Sequence, residues 1–248
     1  MAGRAYKTEA VVLRSFRFGE ADRVLHVYTL DRGRVGAVAK GIRKTKSRFG
    51  ARLEPLSHVE LMLHRGSGEL HTVTGVELVR SHHETREDPY RLGVALVGAE
   101  AMLRLFGEPE ANDRAFEALT RFLDLTDGLE TRPGRPAHDP VAISFQLKLL
   151  WLSGYLPHLT SCADCGSETE QLAGYSPKAG GAVCRDCSDG VLALSPAGIA
   201  GIETLLAHPL AEAGDVGLSE RSARDALAVI TAAYEYFGNF RLRTLRSA

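Results

Sequence analysis

The chain contains four cysteines, arranged as Cys162-Ala163-Asp164-Cys165 and Cys184-Arg185-Asp186-Cys187, a C-x2-C-x18-C-x2-C pattern. That spacing falls in the window of a four-thiolate zinc site. A CxxC turn folds back so that two sulfurs face one point, and two such turns complete the tetrahedron that Zn2+ accepts. The segment between the pairs holds Gly166, Ser167, Gly174, Gly180 and Gly181 and has little to bury. A bound metal would organise it, contributing on the order of 10 kcal/mol. A thioredoxin-type redox pair would use one CxxC beside a βαβ pattern, and common iron–sulfur spacings gather three cysteines closely, so both fit less well. Four sulfurs leave no open coordination position, so the expectation is one structural Zn2+ held by Cys162, Cys165, Cys184 and Cys187. His158 lies just before the first pair and is not required as a ligand.

Upstream, the first 80 residues have the texture of β structure. TEAVVLRSFRF is rich in β-branched and aromatic residues, and RVLHVYTL alternates along part of its length. A tight Asp31-Arg32-Gly33 connection leads into RVGAVAKG, and SHVELMLH and ELHTVTGVELV follow, joined at Arg65-Gly66-Ser67-Gly68. Five short strands with the longest irregular connection between the third and fourth suit a small closed barrel better than a βαβ unit. Gly36 and Gly75 are candidates for a bulge or a barrel bend.

From Asp88 the period changes to that of helices. PYRLGVALVGAEAMLRLF sets Leu92, Ala95, Leu96, Ala99, Leu103 and Phe106 on one predicted stripe, and EANDRAFEALTRFLDLT is a second amphipathic segment. Pro140 starts VAISFQLKLLWLSGY, and Ser195-Pro196 supplies the N-cap and first residue of PAGIAGIETLLAH. The last helix is expected to start at Ser219 and continue to Arg246.

Charge is divided unevenly. The formal net charge is −1, yet residues 1–52 carry 13 Lys+Arg and 4 Asp+Glu, leaving 17 and 27 for the remainder. Such asymmetry points to a polyanion at one end of the chain. Its focus is AKGIRKTKSRFGARLEP, with Lys40, Arg43, Lys44, Lys46, Arg48 and Arg52 and no acidic residue before Glu54. A small barrel with a cationic loop holds nucleic acid by phosphate contacts and base stacking, and Phe49 sits inside the run as a candidate stacking ring. Phe16 and Phe18 flank Arg17 and are equally explained by core packing. Membrane binding fits less well, because no amphipathic helix accompanies the charge.

Motifs for catalysis are missing: there is no G-K-[ST] phosphate loop and no GxGxxG, so an enzyme is not expected. His82-His83-Glu84 has ligand or base chemistry, but its polar surroundings favour a solvated loop. No apolar run reaches the roughly 18 residues of a membrane helix, and MAGRAYKTEAVVL lacks the apolar stretch of a signal peptide. A cytoplasmic location is expected, where thiols stay reduced.

Several of these segments resemble one known family. EADRVLHVYTLDRGRVGAVAKGIRKTKSRFGARLEPLSHVELMLHRG is similar to the N-terminal barrel of the bacterial recombination mediator RecO family, through the Gly19-Glu20-Ala21-Asp22 turn, the Asp31 to Lys40 hairpin and the KGIRKTKSRFGARLEP block. GYLPHLTSCADCG with its later CxxC, and SPAGIAGIETLL before a basic C-terminal helix, resemble the zinc-bearing members. The resemblance implies an α+β chain: a five-stranded OB-fold barrel over residues 1–82, then a mainly α-helical domain over 83–159 and 193–248, with a zinc ribbon inserted at 160–192. It implies a non-enzymatic DNA repair and recombination protein on the nucleoid that binds single- and double-stranded DNA and anneals complementary strands. Such proteins act in the RecF pathway with RecR to load RecA onto strands covered by single-strand-binding protein. Carried onto this chain, the DNA contacts are Lys40, Arg43, Lys44, Lys46, Arg48 and Arg52 with Phe49 as stacker, extended by Lys7, Arg14, Arg17 and Arg34. Some members lack the cysteines, which makes the metal a scaffold. The alternative is a zinc-stapled adaptor whose basic loop binds an acidic partner or ribosomal RNA.

Overall fold

The structure, a computed structural model, describes residues 5–45, 47, 49–132, 134–168 and 171–245. The chain condenses into two compact units, one of Met1–Asp88 with Phe106–Gly128, the other of Pro89–Leu105 with Leu129–Ala248.

The first unit is built on a closed barrel of β1 (Ala5–Phe18), β2 (Asp22–Thr29), β3 (Gly33–Ala39), β4 (His58–His64) and β5 (His71–Arg80), in the spatial order β1-β2-β3-β5-β4. One long strand makes this closure possible. Residues Ala5 to Val11 of β1 pair antiparallel with β4, while Ala10 to Phe18 pair with β2. A register shift between Val12 and Arg14 marks the bulge where the strand bends from one neighbour to the other. A short parallel contact between β3 and β5, Ala37↔His71 and Val38↔Thr72, shuts the barrel. A second shift, between Met62 and Leu63, lies opposite Gly75 as that glycine's place in the sequence suggested, whereas the β2–β3 ladder runs through Gly36 without interruption.

Alternate residues point inward: Val12, Leu25, Val27, Val35, Ala37, Val59, Leu61, Leu63 and Val73 form the barrel core. Two helices complete this unit, the short α1 (His83–Glu87) and, beyond α2 (Pro89–Leu105), the 16-residue α3 (Asp113–Gly128). Thr85 ties α1 to α3, its N–H and Oγ1–H donating to Asp127 Oδ1 at 3.0 and 2.7 Å. His82 corrects the expectation of a solvated loop. Its side chain is buried, at 1% exposure, with Nδ1 2.8 Å from the Leu56 carbonyl oxygen and Nε2 3.0 Å from Asp124 Oδ1. A histidine so engaged is a strut between a barrel loop and α3.

The second unit contains α2 (Pro89–Leu105), α4 (Pro140–Leu152), α5 (Pro196–Ala207) and α6 (Glu220–Gly238), with a three-stranded sheet of β6 (Leu172–Ser176), β7 (Gly181–Cys184) and β8 (Leu192–Ala193) in the order β7-β6-β8. Helix starts follow the cap residues: Asp139 Oδ1 accepts the Val141 N–H at 2.8 Å, Ser195 Oγ that of Gly198 at 3.1 Å, and Ser219 Oγ that of Ser222 at 3.0 Å. Two helix expectations are corrected. In α2 the buried residues are Val94, Ala95, Val97, Gly98, Ala99, Ala101 and Met102, with Leu96 exposed, because an almost wholly apolar helix carries no single stripe to read. α6 stops at Gly238 rather than continuing to Arg246, since Asn239 turns into the left-handed region at φ 53° and caps the helix on the Tyr234 carbonyl. Among the described residues, no helix is long and apolar enough to cross a membrane.

Candidate nucleic-acid interface and metal centre

The connection from β3 to β4 is held against the β1–β2 turn by backbone groups rather than by its charges. Asp22 Oδ1 accepts the Gly41 N–H at 2.7 Å, and the Arg43 N–H reaches the Ala21 carbonyl at 2.9 Å. Gly19 and Gly41 adopt φ of 55° and 68°, which lets both turns fold tightly together. The side chains of Lys40, Arg43 and Lys44 are left exposed. Among the described residues none of these three ends within 4.0 Å of a carboxylate. Arg43 instead lies over the turn, its guanidinium donating to the Gly19 carbonyl at 3.4 Å.

Neighbouring cations extend this surface along β1 and β2. Arg17 stands opposite Arg23 in the ladder, an unfavourable pairing of like charges. Glu54 relieves it by pairing with Arg23 at 3.4 Å, so the Arg17 charge remains uncompensated by that carboxylate. On the other face of the same hairpin the Arg14 guanidinium lies 4.4 Å from the centre of the Phe16 ring, and Phe16 meets His26 edge to face. Phe18 closes the strand with its side chain 55% exposed. Arg52 and Arg34 are exposed too, the latter at the far end of β3 opposite Tyr28.

Two of the expected contacts fall elsewhere. Phe49 is no stacking ring: it is 1% exposed and belongs to the barrel core with Leu53. The short 3-10 turn Gly50–Leu53 folds the loop back on itself and drops both side chains into the barrel. The apolar pair spaced four residues apart in an otherwise polar run was the sequence signal for this plug. Lys7 pairs with Glu60 on the β4 side of β1, opposite Met62 in the ladder, and is not continuous with the loop. Lys46 and Arg48 lie outside the described residues.

In the second unit all four cysteine sulfurs lie within 4.8 Å of one another. A tetrahedral four-thiolate site with metal–sulfur bonds of about 2.3 Å has sulfurs roughly 3.8 Å apart, and Cys165 Sγ stands 3.9 Å from Cys184 Sγ. The group therefore fits a single metal ion. Backbone geometry aims the sulfurs. The Gly166 N–H closes the first turn on the Cys162 carbonyl at 2.9 Å, and the Cys184 N–H donates to Cys162 Sγ at 3.3 Å. N–H groups of Cys165 and Cys184 hold the Cys162 thiol low, at about 6, so it ionises readily. Side-chain hydrogen bonds with the Cys184 and Cys165 sulfurs push the Cys187 thiol well up. A bound divalent metal supplies the charge that lets all four ionise together.

The ribbon is fastened by β pairing. The Ala182 N–H donates to the His158 carbonyl at 2.7 Å and the His158 N–H to the Gly180 carbonyl at 3.0 Å. Gly181 is required there, because a Cβ would stand 2.2 Å from the His158 carbonyl oxygen. His158 contributes backbone, while its Nε2 lies 2.7 Å from Ser161 Oγ.

Comparison with known proteins covers nearly the whole chain. The family model for the recombination protein O N terminal region matches residues 1–82, and that for its C terminal region matches residues 86–246. A protein named DNA repair protein RecO from Rubrobacter xylanophilus is 40% identical over 234 residues, covering 92% of this chain and 90% of its own. Proteins of the same name from Frankia casuarinae and Thermobifida fusca are 40% identical over 233 residues and 36% over 248. These cover 92% and 97% of this chain, and 91% and 97% of their own.

Proposed function

This chain belongs to the RecO family of DNA repair proteins, and from that premise we propose that it is a non-enzymatic recombination mediator that grips DNA through the barrel unit. It binds single- and double-stranded DNA without sequence preference, anneals complementary strands, and acts with RecR. Together they open strands covered by single-strand-binding protein to RecA. The work is divided among the barrel of residues 1–82, the helices of 83–159 and 193–248, and a structural Zn2+ ribbon at 160–192. Its place is the cytoplasm, on the nucleoid.

The observation that carries the reading is the set of exposed cations Lys40, Arg43 and Lys44, fixed in place by backbone hydrogen bonds and free of carboxylates among the described residues. Cations spent on internal ion pairs would have left a neutral face. Each phosphate neutralised releases condensed counterion, so affinity must fall steeply with salt. Lys40, Arg43 and Lys44, with Arg14, Arg34 and Arg52 at the margins, form the phosphate-tracking surface, and Arg17 stands on the opposite face of the β1–β2 hairpin. Four thiolates and no open position suit zinc as a scaffold.

The test is a salt titration of oligonucleotide binding by wild type and by the Arg43→Glu, Lys44→Glu double variant. Removing two phosphate contacts should lower the slope of log affinity against log salt by about 1.4 on single strands. The loss should be alike for every sequence. An unchanged slope, or RNA displacing DNA at far lower concentration, would count against the reading.

A further inference from the structure

We infer that Phe18, rather than Phe49, is the base-stacking residue of this surface, and that it makes the barrel prefer unpaired over paired strands. The inference rests on the DNA-binding reading above and specifies what the site recognises. With Phe49 sealed in the core, phosphate contacts alone would leave the surface unable to tell one strand from two, because both carry the same backbone. A ring open to solvent changes that: an unpaired base has a free face, while a base in a duplex is already stacked on its neighbours.

The outer face of the β1–β2–β3 hairpins is laid out in cross-strand rows. Arg14, His26 and Gly36 make one row; Phe16, Val24 and Val38 make the next; Phe18 and Asp22 begin the third. In the second row Phe16 is half-buried, with the Arg14 guanidinium over its ring and His26 at its edge. The Phe18 ring stands in none of the ring contacts among the described residues and is 55% exposed. Its cross-strand partner Asp22 accepts the Gly41 N–H, which brings the exposed Lys40 to the same row. The next residue, Gly19, carries the carbonyl that the Arg43 guanidinium touches. An open aromatic face thus lies beside cations anchored to its own turn.

That juxtaposition is the pairing single-strand binding requires: the ring takes a base while Lys40 and Arg43 take the flanking phosphates. The Arg14 guanidinium, centred 4.4 Å from the middle of the Phe16 ring, offers a second planar group one row away. Asp22, opposite Phe18, and Glu20, exposed in the turn, are acidic neighbours on this rim, and the Asp22 carboxylate is already engaged by the Gly41 N–H. A buried role does not account for Phe18. Its strand pairs only with β2 at that point, and β4 has already parted from β1 at Val11.

Equilibrium binding of fluorescent oligo-dT and of a mixed-sequence duplex, at matched salt, tests this with Phe18→Ala and Phe18→Trp. The alanine variant should weaken single-strand binding about 5- to 150-fold, the range for one lost base stack, and leave duplex binding within about twofold. Its salt slope on both ligands should equal that of wild type, because no phosphate contact is lost. The tryptophan variant, made in a Trp151→Phe background, should restore affinity and show fluorescence quenching on single strands alone. Equal losses on both ligands, no loss on either, or a tryptophan that is not quenched would overturn the inference while leaving the salt-dependent grip intact. A wild-type protein that binds neither ligand would remove the DNA-binding reading itself, and the inference with it.

Discussion

The barrel and the cysteine ribbon are both small β structures, yet different forces define them. Among the described residues the barrel closes over thirteen buried apolar residues, Phe49 and Leu53 of the loop included, so burial specifies its shape and its surface is free to carry charge. The ribbon has three short strands, the last of two residues, and its organising contacts are four sulfurs. Their surfaces differ in sign as well. Exposed Lys40, Arg43 and Lys44 mark the barrel loop, whereas residues 160–192 hold Asp164, Glu168, Glu170, Asp186 and Asp189 against Lys178 and Arg185. Four thiolates around Zn2+ would add two further negative charges. On the function proposed above, the contrast teaches that a metal module in a DNA repair protein need not be the DNA-contacting one, since charge favours the barrel loop as the side a polyanion would meet.

The largest effect that would break this contrast comes from taking the metal away. Chelation, or Cys184→Ser with Cys187→Ser, should remove a contribution on the order of 10 kcal/mol to the ribbon. Amides of Leu172–Ser176 and Gly181–Cys184 should then exchange rapidly while those of β1, β2 and β4 stay protected. Affinity for DNA should hold within a fewfold. Loss of DNA binding with an intact barrel would mean that the ribbon takes part after all.

Next in size is the plug. Phe49→Ala should cost about 3–5 kcal/mol of barrel stability, as for other aromatic truncations in cores, measured by denaturant unfolding of the metal-loaded chain. The salt slope of DNA binding should not change in the fraction that remains folded. A variant that unfolds normally but loses single-strand affinity would return Phe49 to the binding surface, contrary to its burial.

Much of this layout was legible from residue pattern alone, and the exceptions share a cause. The five strands, the helix starts at Pro140, Ser195-Pro196 and Ser219, and the cysteine pairing all depend on local chemistry: alternation, caps and ligand spacing. Phe49 reads as a stacking ring because its neighbours are cationic, whereas a 3-10 turn folds the two apolar residues of the run inward. Lys7 reads in sequence as one group with Arg14 and Arg17, but the bulge between Val12 and Arg14 sends the two ends of β1 to different neighbours. His82 reads as a loop residue because its partners, Leu56 and Asp124, lie 26 and 42 residues away. The membership of α3 in the barrel unit is likewise a matter of long-range contacts such as Thr85 with Asp127. One-dimensional patterns do not carry that information.

The smallest effect tests where the two kinds of order meet. After β8 the chain passes through Leu194, whose N–H donates to the Ala173 carbonyl at 2.9 Å, directly into the cap of α5. Ser195 holds that cap twice over: Oγ accepts the Gly198 N–H, and its own O–H donates to Asp225 on α6. Ser195→Ala should therefore cost about 1 kcal/mol, the usual value of a helix cap, when zinc is bound. If the ribbon and helices were independent, the same cost would appear in the metal-free chain, because distant sites add. The structure gives the opposite expectation, since a ribbon released from its metal no longer fixes Leu194, and the first turn of α5 frays before the serine is removed. A cycle of Ser195→Ala with Cys187→Ser, read by urea unfolding, should show a coupling of at least about 0.5 kcal/mol. Strict additivity would mean that metal order stops at β8 and that α5 is held by its packing on α6 alone.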